Sequence, residues 1–534
     1  MGIPIGIDLG TTYSAIAGWK ETSFFTGPDV YTIPLEGQSQ HCVASKIYIP
    51  NLNNKDSVQF GRLALKKSFV DPERFHAAFK RGMDTNAAIR RPDGEITPVE
   101  LSSMLLEYLI RDNVIPVEGD SFVPEGVVVS VPYYFTDNQS QRTRIALTNA
   151  LKWIYGNNPD VNVDKLDLKT VAEPIAAGLD YAFMNEMDLE KQNVLIFDLG
   201  GGTFDMTIYE LKNIRKLSKL EFTVLATDGD SRLGGEDFDV SIRKFLLDKG
   251  GVDDAVAYDK KYKTDMAALS ALVTEAKCVL SNKAVESESI TMASFFGCGL
   301  FDYPLTRADI EKVMRGEAGE RIDYISRIDD IVERCLMKSQ LASKQIDRIV
   351  LVGGSSNMPC VRRILEDKFG CGKIINSKDA SLSVARGASI WAAYKLDEIN
   401  KNNPDYKKHL HYWDEIIIKE KTPHSIGVLT RFGVDPLVPS NSFTPFQATR
   451  VYSPSKLSSD GSKAVLDAIV IKQGDSEIGT IPMPDIYAHG RSCKNIPVKV
   501  TLIAESTSIS VLVHIPKGHE DGTDINEEGQ IQIS

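Results

Sequence analysis

Cysteine is sparse in this chain: seven residues (Cys42, Cys278, Cys298, Cys335, Cys360, Cys371 and Cys493), odd in number, scattered, and with no C-x-x-C spacing. That pattern excludes a disulfide framework and a structural zinc site, and it fits a reducing, cytoplasmic setting. No apolar run of about 18 residues occurs, and the opening MGIPIGIDLG lacks the basic stretch of a signal peptide, so neither a membrane span nor secretion is expected. Basic charge is also in deficit. Sixty-one Lys and Arg against 73 Asp and Glu leave a formal charge of −12, the wrong sign for binding nucleic acid or an anionic membrane. With 24 prolines and 42% hydrophobic residues, the composition excludes collagen-like and low-complexity chains. What remains is a folded protein of 534 residues, long enough for about three or four domains.

The most informative feature is an internal echo. The segment Ile3-Pro-Ile-Gly-Ile-Asp-Leu-Gly-Thr-Thr-Tyr-Ser is answered by Val194-Leu-Ile-Phe-Asp-Leu-Gly-Gly-Gly-Thr-Phe-Asp. Each copy reads as strand, Asp-Leu-Gly turn, strand: a hairpin, whereas a dinucleotide-binding or P-loop glycine motif opens directly into a helix. Two such hairpins far apart predict two similar halves facing each other across a cleft. A third glycine turn, at Gly353-Gly354-Ser355-Ser356-Asn357, follows the apolar run Ile349–Val352, and helical spacing after Pro359 predicts a strand–turn–helix. Amphipathic helices are expected over Pro98–Asp112, Asp137–Tyr155 and Ala380–Asn400, the last with Ser381 as N-cap. From about Lys401 the composition turns polar, and Glu415-Ile-Ile-Ile-Lys-Glu420 stands as an apolar run between charges. Beyond Thr422 the alternation becomes period two, which predicts a small antiparallel β domain. The expected boundaries are 1–410, a linker 411–421, a β domain 422–517 and an acidic tail 518–534.

Glycine hairpins let backbone N–H groups converge on phosphate, because glycine takes φ > 0 and presents no side chain. Gly10 with Thr11, Thr12 and Tyr13, and Gly200, Gly201 and Gly202 with Thr203, supply this twice. Asp8 and Asp198, just before each turn, are hard oxygen ligands suited to a Mg²⁺ held largely through water. An ordinary hairpin whose Asp bonds its own backbone is the alternative for each copy; the matched pair favours phosphate.

The two hairpins, together with Val129-Ser-Val-Pro-Tyr-Tyr134-Phe, Ala172-Glu-Pro-Ile-Ala-Ala-Gly, Leu233-Gly-Gly-Glu-Asp-Phe-Asp, Ile349-Val-Leu-Val-Gly-Gly-Ser and the linker running into Thr422-Pro423, resemble the seventy-kilodalton heat-shock chaperone family over about residues 2–517. The resemblance implies an α/β actin-like ATPase domain of two similar halves (ribonuclease-H-like), followed by a small antiparallel β-sandwich. It implies that Lys80 and Glu173 position the attacking water, with Asp198 and Thr203 completing the catalytic set and Asp205 as a further acid of the second loop. Gly235, Thr274, Lys277, Cys278, Ser281, Gly353, Gly354, Ser355 and Asn357 fall at nucleotide-pocket positions. Pro132 and the linker residues Ile416, Ile417 and Ile418 fall at interdomain coupling positions. Val428, Tyr452, Asp467 and Ile469 fall at peptide-binding positions.

This chain departs from the family at several of these. Thr274 stands where glutamate is usual, Cys278 and Asn357 where arginines sandwich adenine, and Asp467 where a valine-like residue lines the peptide pocket. The arginine that works with the relay proline corresponds to Ser140, with Arg142 two places later. A long helical lid, usual after the β domain, has no counterpart after Ile515. The function implied is an ATP-dependent chaperone using ATP/ADP and Mg²⁺, acting on extended client polypeptides with a J-domain co-chaperone and a nucleotide exchange factor, and with neither nucleic acid nor membrane as partner. The alternative is a nucleotide-sensing co-chaperone or scaffold acting on another chaperone. A metabolite kinase of the same superfold is disfavoured by the linker and β domain.

Overall fold

The computed structural model describes residues 3–21, 26–36, 40–68, 70–133, 135–185, 191–375, 382–411, 413–419, 421–422, 424–440, 442–443, 446–504 and 508–532. Tyr134, Ser381, Glu420 and Pro423, singled out above, lie outside them, as does Ala380. The chain forms two compact units, one of residues 1–133 and 142–417, the other of 134–141 and 418–534.

The first unit is built on two mixed sheets of the same plan. In one, the antiparallel strands Thr26–Val30, Tyr13–Glu21 and Pro4–Asp8 are followed by the parallel strands Gly126–Val131 and Asp167–Ala172. In the other, Lys219–Asp230, Phe204–Ile214 and Gln192–Leu199 are followed in parallel by Arg348–Val352 and Ile374–Ile375. The echo in sequence is thus the central hairpin of each sheet. All six residues of Gly126–Val131 are buried, as the valine run of a parallel strand covered on both faces requires. The second sheet packs on a large core that includes Phe197, Phe204, Phe238, Leu269, Ile328 and Leu351.

Helices cover these sheets with recognisable start signals. Thr97 caps Pro98–Asn113 by a reciprocal bond with Glu100, with proline at the first helical position. Asp137–Tyr155 has the expected ends, and the later helix runs Ser383–Asn400. Gly387 of that helix lets it approach the helix Glu173–Met184 so closely that a Cβ would lie 1.7 Å from the carbonyl of Ala176. The same pair of helices is locked by a buried bidentate ion pair, Arg386 to Asp180, at 2.7 and 2.8 Å.

Residues expected in the linker 411–421 are partly structured. Trp413 is buried, as is Leu410 just before it, and the Trp413 indole N–H donates to Asn213 Oδ1 at 3.2 Å. Glu415–Lys419 forms an edge strand beside Lys219–Asp230.

The second unit carries a β-sandwich. One sheet orders Gly433–Val438, Ile426–Thr430, Ala468–Gln473 and Ser476–Pro482; the other orders Phe446–Tyr452, Val498–Ala504, Ser508–Ile515 and Ile525–Gln532. Both contribute to one core containing Ile471, Val500, Leu502, Val511 and Val513. The expected acidic tail 518–534 is corrected here: Ile525–Gln532 is a strand pairing antiparallel with Ser508–Ile515. Ile525 is fully buried and Ile531 packs on the core, so two isoleucines anchor an otherwise polar edge strand.

Candidate functional site

Within the first unit, the turn after Asp8 is held by a compact set of bonds. The Gly10 N–H donates to Ser14 Oγ (3.1 Å), Ser14 and Ser45 share a hydroxyl bond (2.9 Å), and the Ser45 hydroxyl donates to the Gly10 carbonyl (2.7 Å). The Ser45 N–H donates to the Thr12 carbonyl at 2.7 Å. Opposite, Gly200 N–H donates to the Thr203 carbonyl (3.0 Å), while Gly235 and Glu236 N–H groups donate to the carbonyls of Gly200 and Gly201 (3.0 and 2.8 Å). The two turns meet across the cleft. A Cβ on Gly201 would lie 1.6 Å from Thr12 Oγ1, so no side chain fits there. The Thr12 hydroxyl donates to Glu236 Oε1 at 3.2 Å. Arg81 donates to the Gly202 carbonyl (2.7 Å) and to Asp237 Oδ2 (2.9 Å).

Beneath the turns lies a concentration of carboxylates. Lys80 Nζ meets Glu173 Oε1 at 2.6 Å, both side chains buried. Glu173 is the first residue of its helix, followed by Pro174. Ser130 donates to Asp8 Oδ1 at 3.0 Å. Desolvation, then the charge of Glu173, pushes Asp8 up to about 7 against the opposing pull of Lys80 and Ser130. Asp205 is also pushed up to about 7, by burial and then Glu173, against Lys80 and the Thr203 hydroxyl. Asp198 is raised well above the usual carboxylate range by burial, with Glu173, Asp205 and Asp8 adding to it. Asp205 Oδ2 is buried without a hydrogen-bond partner among the described residues. Four acids thus surround Lys80, an environment that a divalent cation would relax. Among the described residues no three His, Cys, Asp or Glu side chains form a group that could hold a metal ion directly.

At the other end of the cleft, the helix Lys263–Leu280 presents Thr274, Lys277 and Cys278. Lys277 pairs with Asp239 Oδ1 at 2.8 Å and donates to the Gly235 carbonyl at 2.6 Å. The Thr274 hydroxyl donates to Asp239 Oδ2 at 2.9 Å, and Ser281 bonds back to the Lys277 carbonyl at 2.9 Å. Desolvation raises the solvent-accessible Cys278 thiol, countered by Lys277. Gly353, at φ 76°, lies so near the second hairpin that a Cβ would sit 2.7 Å from Asp198 Oδ1. Ser355 is buried beside it, Asn357 is exposed, and Ser356 bonds the Gly353 carbonyl at 2.7 Å.

Other expected positions lie elsewhere. Pro132 is buried just after Gly126–Val131. Arg142, from the neighbourhood of the expected relay, donates to the Met83 carbonyl at 2.6 Å and to that of Asp84. Ile416 is buried and its carbonyl accepts from Tyr394 at 3.2 Å; Ile417 and Ile418 are half-buried. In the second unit, Val428 and Ile469 belong to the sandwich core, Tyr452 is half-buried with its hydroxyl on Asp435 Oδ2 (2.8 Å), and Asp467 is exposed. Sequence reasoning took only Gly235 from its motif. Glu236, Asp237 and Asp239 of that motif, with Arg81 and Ser45, prove to be structural parts of the cleft. The Arg after Lys80 was the available signal for Arg81.

Among the described residues no helix is long and apolar enough to cross a membrane. The family description Hsp70 protein matches residues 61–505 of the chain. The chaperone protein DnaK of Elusimicrobium minutum (strain Pei191) is 30% identical over 503 residues, covering 90% of this chain and 69% of that protein. A match of this extent, falling on a chain with paired glycine hairpins over buried acids and a β-sandwich beyond them, establishes that it belongs to the Hsp70 family.

Proposed function

We propose that the chain is an ATP-dependent molecular chaperone whose first unit is an actin-like ATPase of two similar halves and whose sandwich binds extended polypeptide. The observation that carries this reading is the meeting of the two glycine hairpins above Lys80 and Glu173, with Asp8, Asp198 and Asp205 around them. Hydrolysis of a phosphoanhydride needs an in-line water and charge compensation rather than a covalent nucleophile. Glu173 orients that water through its carboxylate, and Lys80 holds Glu173 in place while facing the terminal phosphate. Backbone N–H groups of both turns, with the hydroxyls of Thr11, Thr12 and Thr203, take the phosphate oxygens. Asp8, Asp198 and Asp205 would hold a nucleotide-bound Mg²⁺ through water, and the ion would supply charge neutralisation. Lys277, Ser281 and Thr274, with the turn Gly353–Asn357, form the nucleoside end. By analogy with the family, a J-domain co-chaperone and a nucleotide exchange factor are its partners. None of the seven cysteines is paired, which supports a cytoplasmic setting.

A second reading, a nucleotide-sensing co-chaperone with little client binding, is favoured by one feature of the sandwich. Two of its four expected peptide contacts, Val428 and Ile469, are core residues, while Asp467 adds an exposed acid. Steady-state ATPase measured with and without an apolar peptide separates the two. Stimulation supports the chaperone, ATP turnover indifferent to peptide supports the co-chaperone, and no turnover by purified protein contradicts the ATPase.

A further inference from the structure

Arg81 stands next to Lys80 in sequence and reaches across the cleft. Ala78, at φ 53°, turns the chain out of the strand Phe75–Ala77 into the short helical turn Phe79–Met83. A residue with a Cβ avoids that left-handed conformation, so the fold holds it there against strain. The turn is seated on the helix Pro98–Asn113, close enough that a Cβ on Gly82 would lie 2.8 Å from Pro98 Cγ. From it the two neighbouring cations diverge. Lys80 runs inward to Glu173 at 2.6 Å. Arg81 runs to the opposite wall, where Nη2 donates to the Gly202 carbonyl of the second hairpin (2.7 Å) and to Asp237 Oδ2 at the start of the helix Gly235–Lys249 (2.9 Å). Its Nη1 lies 3.9 Å from Glu236 Oε2. Both carboxylates are themselves anchored: Asp237 Oδ2 also takes the Gly234 N–H (2.9 Å), and Glu236 Oε1 the Thr12 hydroxyl (3.2 Å). A Cβ on Gly202 would lie 2.8 Å from Arg81 Nε, so the guanidinium lies directly against the turn. With the Arg81 and Asp237 side chains 28% and 27% exposed, water screens this contact less than it does a surface pair.

Resting on the nucleotide reading above, we propose that Arg81 is a positioning residue for hydrolysis, which sets Lys80 in place only while the two walls of the cleft are closed on the nucleotide. Its Nη groups are spent on protein acceptors, so it acts on the second phosphate turn and on Lys80 rather than on the ligand. One peptide step joins it to Lys80 within a single turn of chain. A shift of Gly202 and Asp237 away from the first hairpin therefore pulls on the backbone that carries the catalytic ammonium. Departure of a nucleotide held between the hairpins draws the walls apart and breaks the Arg81 bonds, so the same contact retards release. A guanidinium suits the task because its rigid, planar fork serves a carbonyl and a carboxylate together, where an ammonium keeps the charge but not the fork.

The test is single-turnover ATP hydrolysis and stopped-flow release of a fluorescent ADP, on the full chain, for the wild type, Arg81→Met, Arg81→Lys, Asp237→Asn and the double variant. Arg81→Met is expected to slow hydrolysis and to speed ADP release, each about tenfold, the loss that follows removal of a charge-assisted bond. Arg81→Lys should recover part of both, a rescue that a merely destabilised fold would not show. Asp237→Asn alone should speed release, yet add less than about twofold to Arg81→Met, because the bond it weakens is already gone. Should Arg81→Met not fold, Asp237→Asn, which keeps the arginine, carries the same two expectations. Unchanged release, faster release with unchanged hydrolysis, or additive effects of the two substitutions overturns the inference while leaving the nucleotide reading intact. Failure of the wild type to bind ADP refutes the nucleotide reading itself, and ADP binding without ATP hydrolysis refutes the ATPase and this inference with it.

Discussion

Asp205 offers a perturbation whose effect can be worked out with its sign. Its carboxyl is buried, one oxygen has no partner among the described residues, and its pKa is pushed up to about 7 from 3.8. A carboxyl whose folded pKa is raised binds its proton more tightly in the native state, so it costs stability progressively as pH rises from the unfolded value to the folded one. Each tenfold gain in proton affinity is worth about 1.4 kcal/mol, which puts the full cost above pH 7 at about 4 kcal/mol, with about 3 kcal/mol of it developing between about pH 5 and pH 8. Asp205→Asn is nearly isosteric and neutral throughout. The nucleotide-free variant should therefore be more stable than the wild type at about pH 8, with the advantage shrinking by about 3 kcal/mol on going to about pH 5. Denaturant unfolding followed by tryptophan fluorescence, at both pH values, reads the difference. Mg²⁺ with ADP should narrow or reverse the gap at the higher pH, since the ionised Asp205 then faces a cation. A variant less stable than wild type at the higher pH without ligand, or a difference independent of pH, would refute the reasoning.

The remaining predictions are simpler. Lys80→Ala and Glu173→Ala should each abolish most single-turnover ATP hydrolysis while ADP still binds, and Lys80→Ala should lower nucleotide-free stability by about 3 kcal/mol because it leaves the buried Glu173 without its ion-pair partner; normal hydrolysis by either variant would remove it from the mechanism. Asn357→Arg should tighten ATP by about threefold to tenfold in equilibrium titration if a cation can stack there on adenine, and unchanged or weaker binding would tell against stacking as the missing contact. Ile525→Ala should cost the sandwich about 3 kcal/mol in denaturant unfolding, the usual loss for a fully buried isoleucine; an effect below about 1 kcal/mol would mean the last strand contributes little to the core.

Much of the cleft was legible in the chain because its chemistry is local. A strand, an Asp-Leu-Gly turn and a return strand carry their own geometry, so the hairpins at Asp8 and Asp198 could be read and paired from their likeness. The ion pair between Lys80 and Glu173 could not: its partners are 93 residues apart, and only the family resemblance brought either into view. Ile525–Gln532 was missed because Asn526, Glu527, Glu528 and Gly529 dilute the period-two signal and resemble a solvated tail, while the two isoleucines that anchor the strand are six positions apart. The linker region was only half legible for a similar reason. Trp413 and Leu410, set in a polar stretch, are buried by partners distant in sequence.

In the ATP-dependent chaperone proposed above, nucleotide in the first unit would control peptide binding by the sandwich, and stopped-flow release of a labelled apolar peptide from the full chain tests that most directly. ATP should accelerate release in the wild type, whereas Ile417→Asp in the edge strand Glu415–Lys419 should abolish the acceleration. Release at one rate with and without ATP in the wild type, or acceleration that survives Ile417→Asp, would contradict the account.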